Sequence, residues 1–214
     1  MAAQILIADD HKLLREGLRS LLESRGFEVA GEAEDGRSAV KLAKQLKPDA
    51  VIIDISMPGL NGIEATRQIH QDSPQVRILV LSMRADSRAI LGALAAGASA
   101  YLLKEAAFEE MITALGAVLK GQIYISPAIA HVVVQNSLEH RSGSPGYLRH
   151  AISGRQREIL QLVAEGRSSK EMAASLFVSV KTIETHRKQI MNKLNLHSIA
   201  ELTKYAIREG VTSL

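Results

Sequence analysis

Four short apolar runs, residues 5–8, 50–53, 78–81 and 100–103, are spaced by segments of helix length and do not alternate with polar positions. Uninterrupted runs of this length predict central strands of a parallel sheet covered on both faces. A fifth run, residues 27–33, alternates more and predicts an edge strand. Between the runs Leu13, Leu14, Gly17, Leu18, Leu21 and Leu22 recur at helical spacing, as do Phe108, Met111, Ile112, Leu115, Val118 and Leu119. Residues 1–121 therefore spell five β-α units and predict an α/β domain with a five-stranded, doubly wound parallel sheet.

The pattern changes after Gly121. Residues 122–150 read as a connection, with one helix over 127–138 and a flexible linker over 139–150 that contains RSGSPG. Residues 151–214 predict a second, all-α domain of four short helices. Ser153 with Gln156, Ser168 with Glu171 and Ser198 with Glu201 have capping-box spacing, and Gly166 and Gly210 stand where helix C-caps belong.

Charge sharpens this division. The chain carries +3 overall, but residues 1–125 carry −2 and residues 126–214 carry +5, with no aspartate in the second part. A basic C-terminal segment behind an acidic domain points to an anionic polymer as its partner. With 46% hydrophobic and 23% charged residues the 214-residue chain reads as soluble and globular. Without cysteine it has no disulfide or thiolate metal site, in keeping with a reducing compartment. The N-terminus runs into two aspartates, unlike a signal peptide. The uncharged apolar run at residues 89–103 falls short of the roughly 20 residues a spanning helix needs, so a cytoplasmic protein without a membrane segment is expected.

Open parallel sheets bind ligands beyond the carboxyl ends of their strands. The residues that close the apolar runs are Asp9 and Asp10, Asp54, Ser82 and Lys104. Carboxylates gathered there repel one another unless a cation sits among them, and a hard ion such as Mg²⁺ relieves that repulsion while leaving room for a phosphate oxygen. The lysine adds a second positive charge and the serine a donor, so the set suits an incoming phosphoryl group. Taken singly, Asp10 or Ser82 reads equally as a helix cap, Asp54 as a turn former before Pro58 and Gly59, and Lys104 as a solvated cation. Their joint position at strand ends favours a site.

ILIADDH (5–11), DISMPGLNG (54–62), Leu81 with Ser82, and YLLK (101–104) together make residues 1–121 resemble a receiver domain of flavodoxin-like fold. The resemblance implies Asp54 as phosphoacceptor and Asp10, Asp54 and the Ser56 backbone carbonyl as Mg²⁺ ligands, with Asp9 acting largely through metal-bound water. It implies Lys104 as the phosphate-binding lysine and Ser82 with Tyr101 as a switch pair, in which Tyr101 follows inward after phosphorylation. Glu105 stands where many receivers have proline.

In residues 179–194 the helical period puts Ile183, Ile190 and Leu194 on one face and Lys181, Glu184, Thr185, Lys188 and Asn192 on the other. That polar face suits base edges and phosphates, although a solvated amphipathic helix fits the same pattern. Residues 168–176 and the turn at 177–178 give the length of a helix-turn-helix. REIL (157–160), LVAEGRSSKEMA (162–173) and VSVKTIETHRKQIMNKL (178–194) make residues 152–210 resemble the DNA-binding domain of LuxR-type regulators of the NarL/FixJ family. The resemblance implies Glu184, Thr185 and Lys188 toward the major groove and Lys181, Thr182 and Arg187 toward phosphates. Gln156 replaces the family's usual glutamate, and Phe177 its frequent glycine. The apolar residues of 198–209, Ile199, Leu202, Tyr205, Ala206 and Ile207, occupy a wide arc, so some of them, Tyr205 foremost, are expected to stay exposed, with Ile199, Leu202 and Tyr205 forming a homodimer surface.

The expectation is a two-component response regulator, phosphorylated by a sensor histidine kinase and binding double-stranded DNA. A phosphoester hydrolase with an aspartyl intermediate is disfavoured because Ser56 occupies the place of its second, acid/base aspartate. A phosphorylation-independent DNA-binding or protein-interaction module with a vestigial receiver is opposed by the intact Asp9, Asp10, Asp54 and Lys104.

Overall fold

Each apolar run becomes a strand, and each strand is followed by a helix that covers the sheet. The structure, a computed structural model, describes residues 2–106, 108–140 and 152–212. In chain order the first unit contains β1 (Gln4–Ala8), α1 (Lys12–Ser24), β2 (Glu28–Ala33), α2 (Gly36–Leu46), β3 (Ala50–Ile53), α3 (Gly62–Asp72), β4 (Arg77–Ser82), α4 (Ser87–Ala96), β5 (Ala100–Leu103), α5 (Phe108–Leu119), β6 (Tyr124–Ile125) and α6 (Pro127–His140). The sheet is parallel throughout in the order β2-β1-β3-β4-β5-β6. β2 lies on the edge, as its alternating pattern predicts.

The sheet is buried on both faces. Leu6, Val51, Ile53, Ile78 and Val80 pack on one side with α2, α3 and α4, and Ile5, Ile7, Ile52, Leu79 and Leu102 pack on the other with α1 and α5. Continuous apolar strands are the sequence signature of this double covering. On α1 only part of the leucine pattern reaches the core: Leu18 and Leu22 are buried, whereas Leu13 is 84% exposed.

Two features depart from the expected outline. A sixth strand, β6, pairs with the outer edge of β5. At two residues it is too short to show a periodic pattern. The helix expected at 127–138 forms as α6, with Ile129 buried and Val132 and Val133 packed on the first unit's core. Residues 122–140 thus join the receiver-like unit, and the chain divides into compact units at Met1–Gly143 and Ser144–Leu214. Most of the expected linker, residues 141–150, lies outside the described residues.

The second unit contains α7 (Gly154–Ala164), α8 (Ser169–Ser175), α9 (Val180–Leu194) and α10 (Ile199–Arg208). Capping boxes form at Ser153–Gln156 and Ser168–Glu171. The third is half made: the Ser198 hydroxyl accepts the Glu201 amide, but the Glu201 carboxylate takes the His197 amide instead of that of Ser198. Gly166 and Gly210 adopt left-handed backbone just past α7 and α10.

Phe177, between α8 and α9, also adopts left-handed backbone (φ 54°), with its side chain 95% exposed. This conformation costs an L-residue roughly 1–2 kcal/mol, which glycine avoids, but glycine's freer unfolded chain offsets about 0.5–1 kcal/mol of that gain. Phe177→Gly is therefore expected to stabilise the second unit by about 0.5–1 kcal/mol. Calorimetric unfolding of the full chain should show its transition moving up, and a downward move would place compensating contacts on the Phe177 ring.

Candidate functional site

β1 and β3 are neighbours, so Asp9 and Asp54, which follow them, emerge side by side at the carboxyl edge of the sheet. The Asp54 amide extends the ladder to the Ala8 carbonyl (2.8 Å), and the Asp9 amide reaches the Ala33 carbonyl (3.1 Å). Both residues are almost wholly buried, at 3% and 2% exposure. Lys104, after β5, reaches across to place its Nζ 2.6 Å from Asp9 Oδ2 and 2.9 Å from Asp54 Oδ2. The ammonium bridges the pair and offsets their repulsion.

The loop after β3 holds Asp54 from behind. Its Oδ1 accepts the Ile55 amide at 2.7 Å, and the Ser56 amide donates to the same carboxylate. Ile55, Met57 and Leu60 are buried, so the loop is a packed element. Gly62 begins α3 against Asp54: a Cβ there would lie 1.9 Å from the Asp54 carbonyl oxygen. Asn61 caps α3 by accepting the Glu64 amide. Gly62 and Asn61 therefore help to position Asp54.

Burial pushes the Asp54 carboxyl above its ordinary pKa, a rise that the Lys104 hydrogen bond and charge reduce and the Asp9 charge reinforces. For Lys104, burial alone would lower the pKa, but the hydrogen bonds and charges of Asp9 and Asp54 outweigh it and the net shift is upward. The lysine is thus held as a cation beside a carboxylate whose ionised form is costly.

Asp10 lies on the exposed side of the cluster with His11, whose Nδ1 is 2.8 Å from Asp10 Oδ1 and 3.0 Å from Asp9 Oδ1. Ligand atoms of Asp9, Asp10, His11 and Asp54 all lie within 4.8 Å of one another. A set dominated by carboxylate oxygens, two of its members buried, fits a hard divalent ion such as Mg²⁺. Sequence reasoning passed over His11; its place directly after the acidic pair, at the N-cap of α1, was the available signal.

Ser82 ends β4 fully buried, and its Oγ accepts the Arg84 amide at 3.2 Å. The Tyr101 ring is fully buried beside it, and its hydroxyl donates to the Arg84 carbonyl at 2.7 Å. Burial raises the Tyr101 pKa to about 12, so the phenol is a neutral donor. In this structure Tyr101 already stands inward, its ring buried and its hydroxyl held by the Arg84 carbonyl.

In the second unit Ser179 caps α9, whose Ile183 and Ile190 are buried while Lys181, Glu184, Thr185 and Lys188 are exposed. Thr182 and Arg187 are half-buried: the Thr182 hydroxyl pairs with that of Ser179, and Arg187 Nη1 donates to Ser169 Oγ at 3.1 Å. Arg187 thereby ties α9 to the start of α8. Gln156 does the same for α7, donating to Gln189 Oε1 and accepting from Lys193 Nζ. A glutamate there could not donate to Gln189.

The expected exposure of α10 needs correction. Leu202 and Tyr205 are buried, at 0% and 9% exposure, and only Ile199 stands at the surface, at 52%. α10 packs along α7, and the shared core takes in a wider arc of the helix than a single narrow stripe.

Among the described residues no helix is long and apolar enough to cross a membrane. Residues 5–116 match the family model described as response regulator receiver domain, and residues 150–206 match that of bacterial regulatory proteins of the luxR family. The oxygen regulatory protein NreC of Staphylococcus carnosus is 39% identical, covering 96% of this chain and 97% of that protein. The transcriptional regulatory protein DegU of Brevibacillus brevis is 36% identical, covering 97% and 94%. The solved structure of RcsB from Salmonella enterica serovar Typhimurium, bound to promoter P1flhDC in the presence of phosphomimetic BeF3−, matches with TM-score 0.61 and 29% identity over 96% of this chain and 98% of that one. A receiver joined to a LuxR-type DNA-binding domain, with both parts matched along nearly the whole chain, makes this protein a member of the NarL/FixJ family of two-component transcriptional response regulators.

Proposed function

We propose that Asp54 is the phosphoacceptor through which a sensor histidine kinase sets promoter binding by α9. The observation that carries this reading is the buried Asp54 carboxylate at the end of β3, 2.9 Å from Lys104 Nζ and clustered with Asp9 and Asp10. An Asp54 oxygen attacks the phosphorus of a phosphohistidine, the P–O bond forms as the P–N bond breaks, and the imidazole leaves. Asp9, Asp10 and Asp54, with the Ser56 carbonyl, hold Mg²⁺, which when bound neutralises charge on the transferring phosphoryl group. Lys104 turns from the carboxylate to a phosphate oxygen, and Ser82 donates to another.

The signal then leaves through Ser82. The Ser82 hydroxyl that donates to a phosphate oxygen also accepts the Arg84 amide, so turning it toward the phosphate pulls on the Arg84 segment that also holds Tyr101. Converting a population from about 1:99 to 99:1 takes roughly 5.5 kcal/mol of differential interaction, and a buried phosphate bonded to Lys104 and Ser82 is a source of that size. On DNA, Glu184, Thr185 and Lys188 face bases, and Lys181 with Thr182 faces phosphates. Arg187 supports the helix pair and reaches the backbone from its margin.

The protein acts in the cytoplasm as a homodimer on DNA rather than as an enzyme on an external substrate. Ile199, exposed on α10, is the residue to test for the dimer. Ile199→Asp is expected to leave thermal unfolding unchanged and to reduce cooperative binding to an inverted-repeat site in gel-shift titrations; unchanged cooperativity moves the dimer surface elsewhere. Incubation with acetyl phosphate and Mg²⁺, followed by intact mass measurement, tests the central reading. A single phosphoryl adduct that tightens promoter binding supports it, and equal binding with and without the adduct returns the case to a phosphorylation-independent DNA-binding module.

A further inference from the structure

Asp9 directly follows β1, its amide still extends the sheet ladder, and it has a partner at every polar position. Its amide bonds to Ala33, one carboxylate oxygen accepts the His11 amide, and the other meets Lys104. Its carbonyl lies beyond the strand pairing, where a buried acceptor needs a partner from elsewhere. That partner is Arg15, one turn into α1, whose Nη1 donates to the Asp9 carbonyl at 2.6 Å. The guanidinium is itself buried, at 11% side-chain exposure, and its Nε donates to Glu32 Oε2 on β2 at 3.2 Å. Glu32 is fixed in turn by Arg19 at 2.6 Å.

We infer that Arg15 is a positioning residue for the acidic site: it locks the peptide between Asp9 and Asp10, so that their two carboxylates face Asp54 together. The planar fork of arginine makes this possible, because one edge can hold the carbonyl while Nε stays on Glu32. A lysine offers a single nitrogen, which cannot stand at the positions of Nη1 and Nε at once. The inference rests on the proposed Mg²⁺-dependent phosphorylation of Asp54 and concerns how the ion's ligands are held. Residues that orient metal ligands typically alter affinity or activity by about 10–100-fold when removed.

The test compares wild type, Arg15→Met, Arg15→Lys and Glu32→Gln by NMR titration with Mg²⁺ alone and by labelling rate with acetyl phosphate across Mg²⁺ concentrations. Arg15→Met and Arg15→Lys are expected to weaken Mg²⁺ binding about tenfold, with the labelling rate at saturating Mg²⁺ retained. Glu32→Gln, which keeps Arg15 but loosens its anchor, should fall between them and wild type. Wild-type Mg²⁺ affinity in Arg15→Lys would overturn the inference, since charge alone would then suffice. A lowered Tm with unchanged Mg²⁺ affinity in the variants that fold would overturn it too, leaving a packing role. If Arg15→Met fails to fold, the other two variants decide. Failure of the wild type to bind Mg²⁺ or take a phosphoryl group is a different result, which rejects the proposed function itself.

Discussion

Asp54→Asn is expected to abolish Mg²⁺-dependent labelling by acetyl phosphate while the fold is retained. The amide keeps the size and most of the hydrogen bonds of the carboxyl, but it has no anionic oxygen to attack phosphorus. Among the carboxylates at the sheet edge only Asp54 is buried at the end of β3, contacts Lys104 and is backed by two loop amides. Asp9 shares the lysine, but its carboxylate is taken up by His11 and Lys104 and its carbonyl by Arg15. Full labelling of Asp54→Asn, read by intact mass, would move the acceptor to another residue.

The same substitution has a stability signature whose sign follows from burial. The Asp54 carboxyl is shifted upward in the fold, so the native state holds its proton more tightly than the unfolded state. Ionising Asp54 therefore costs stability. The cost is absent below the ordinary, unfolded pKa, grows as pH rises from there, and is full above the raised folded value. Without Mg²⁺, Asp54→Asn should match wild type in acid and melt at a higher temperature near neutrality. Added Mg²⁺ should narrow the gap by stabilising the native wild type. A variant less stable than wild type near neutral pH would show that the Lys104 attraction outweighs desolvation.

The receiver was legible because its signals are dense and independent. Continuous apolar strands fix a parallel sheet, and such a sheet leaves only its carboxyl edge for a site, so Asp9, Asp54, Ser82 and Lys104 could be found by asking what closes each run. β6 was not legible, since two residues carry no period and its pairing depends on the exposed edge of β5. Arg15 was hidden for another reason. In the sequence it is one polar position on an amphipathic helix, and only the turn of the chain after β1 shows that it faces an otherwise unpaired carbonyl. α10 failed in the opposite direction: its pattern gave the apolar arc correctly but not how much of that arc α7 covers, so Tyr205 looked available when it is core. The Ser198 box shows the same limit at short range, because spacing fixes which residues can meet but not which of two adjacent amides the Glu201 carboxylate takes.

On α9, Lys188→Ala is expected to reduce binding to the cognate site by about 1–3 kcal/mol, or roughly 5- to 150-fold, and to relax preference at one base position. Lys188 is chosen because it is exposed on the face opposite Ile183 and Ile190, whereas Arg187 is half-buried and bonded to Ser169. Replacing Arg187 would loosen the helix pair and confuse a lost DNA contact with lost stability. Lys181, exposed in the first turn of α9, is the control. A phosphate contact carries no sequence information and adds to the salt dependence of binding, so Lys181→Ala should weaken cognate and scrambled DNA alike and reduce the slope of log K against log salt by about one. Titrating both variants against both DNAs at several salt concentrations separates the two roles. If Lys188→Ala also weakens both DNAs equally and flattens the slope, Lys188 is a backbone contact, and base reading falls to Glu184 and Thr185 on the same face. If neither variant changes binding to either DNA, α9 is not the helix that enters the groove.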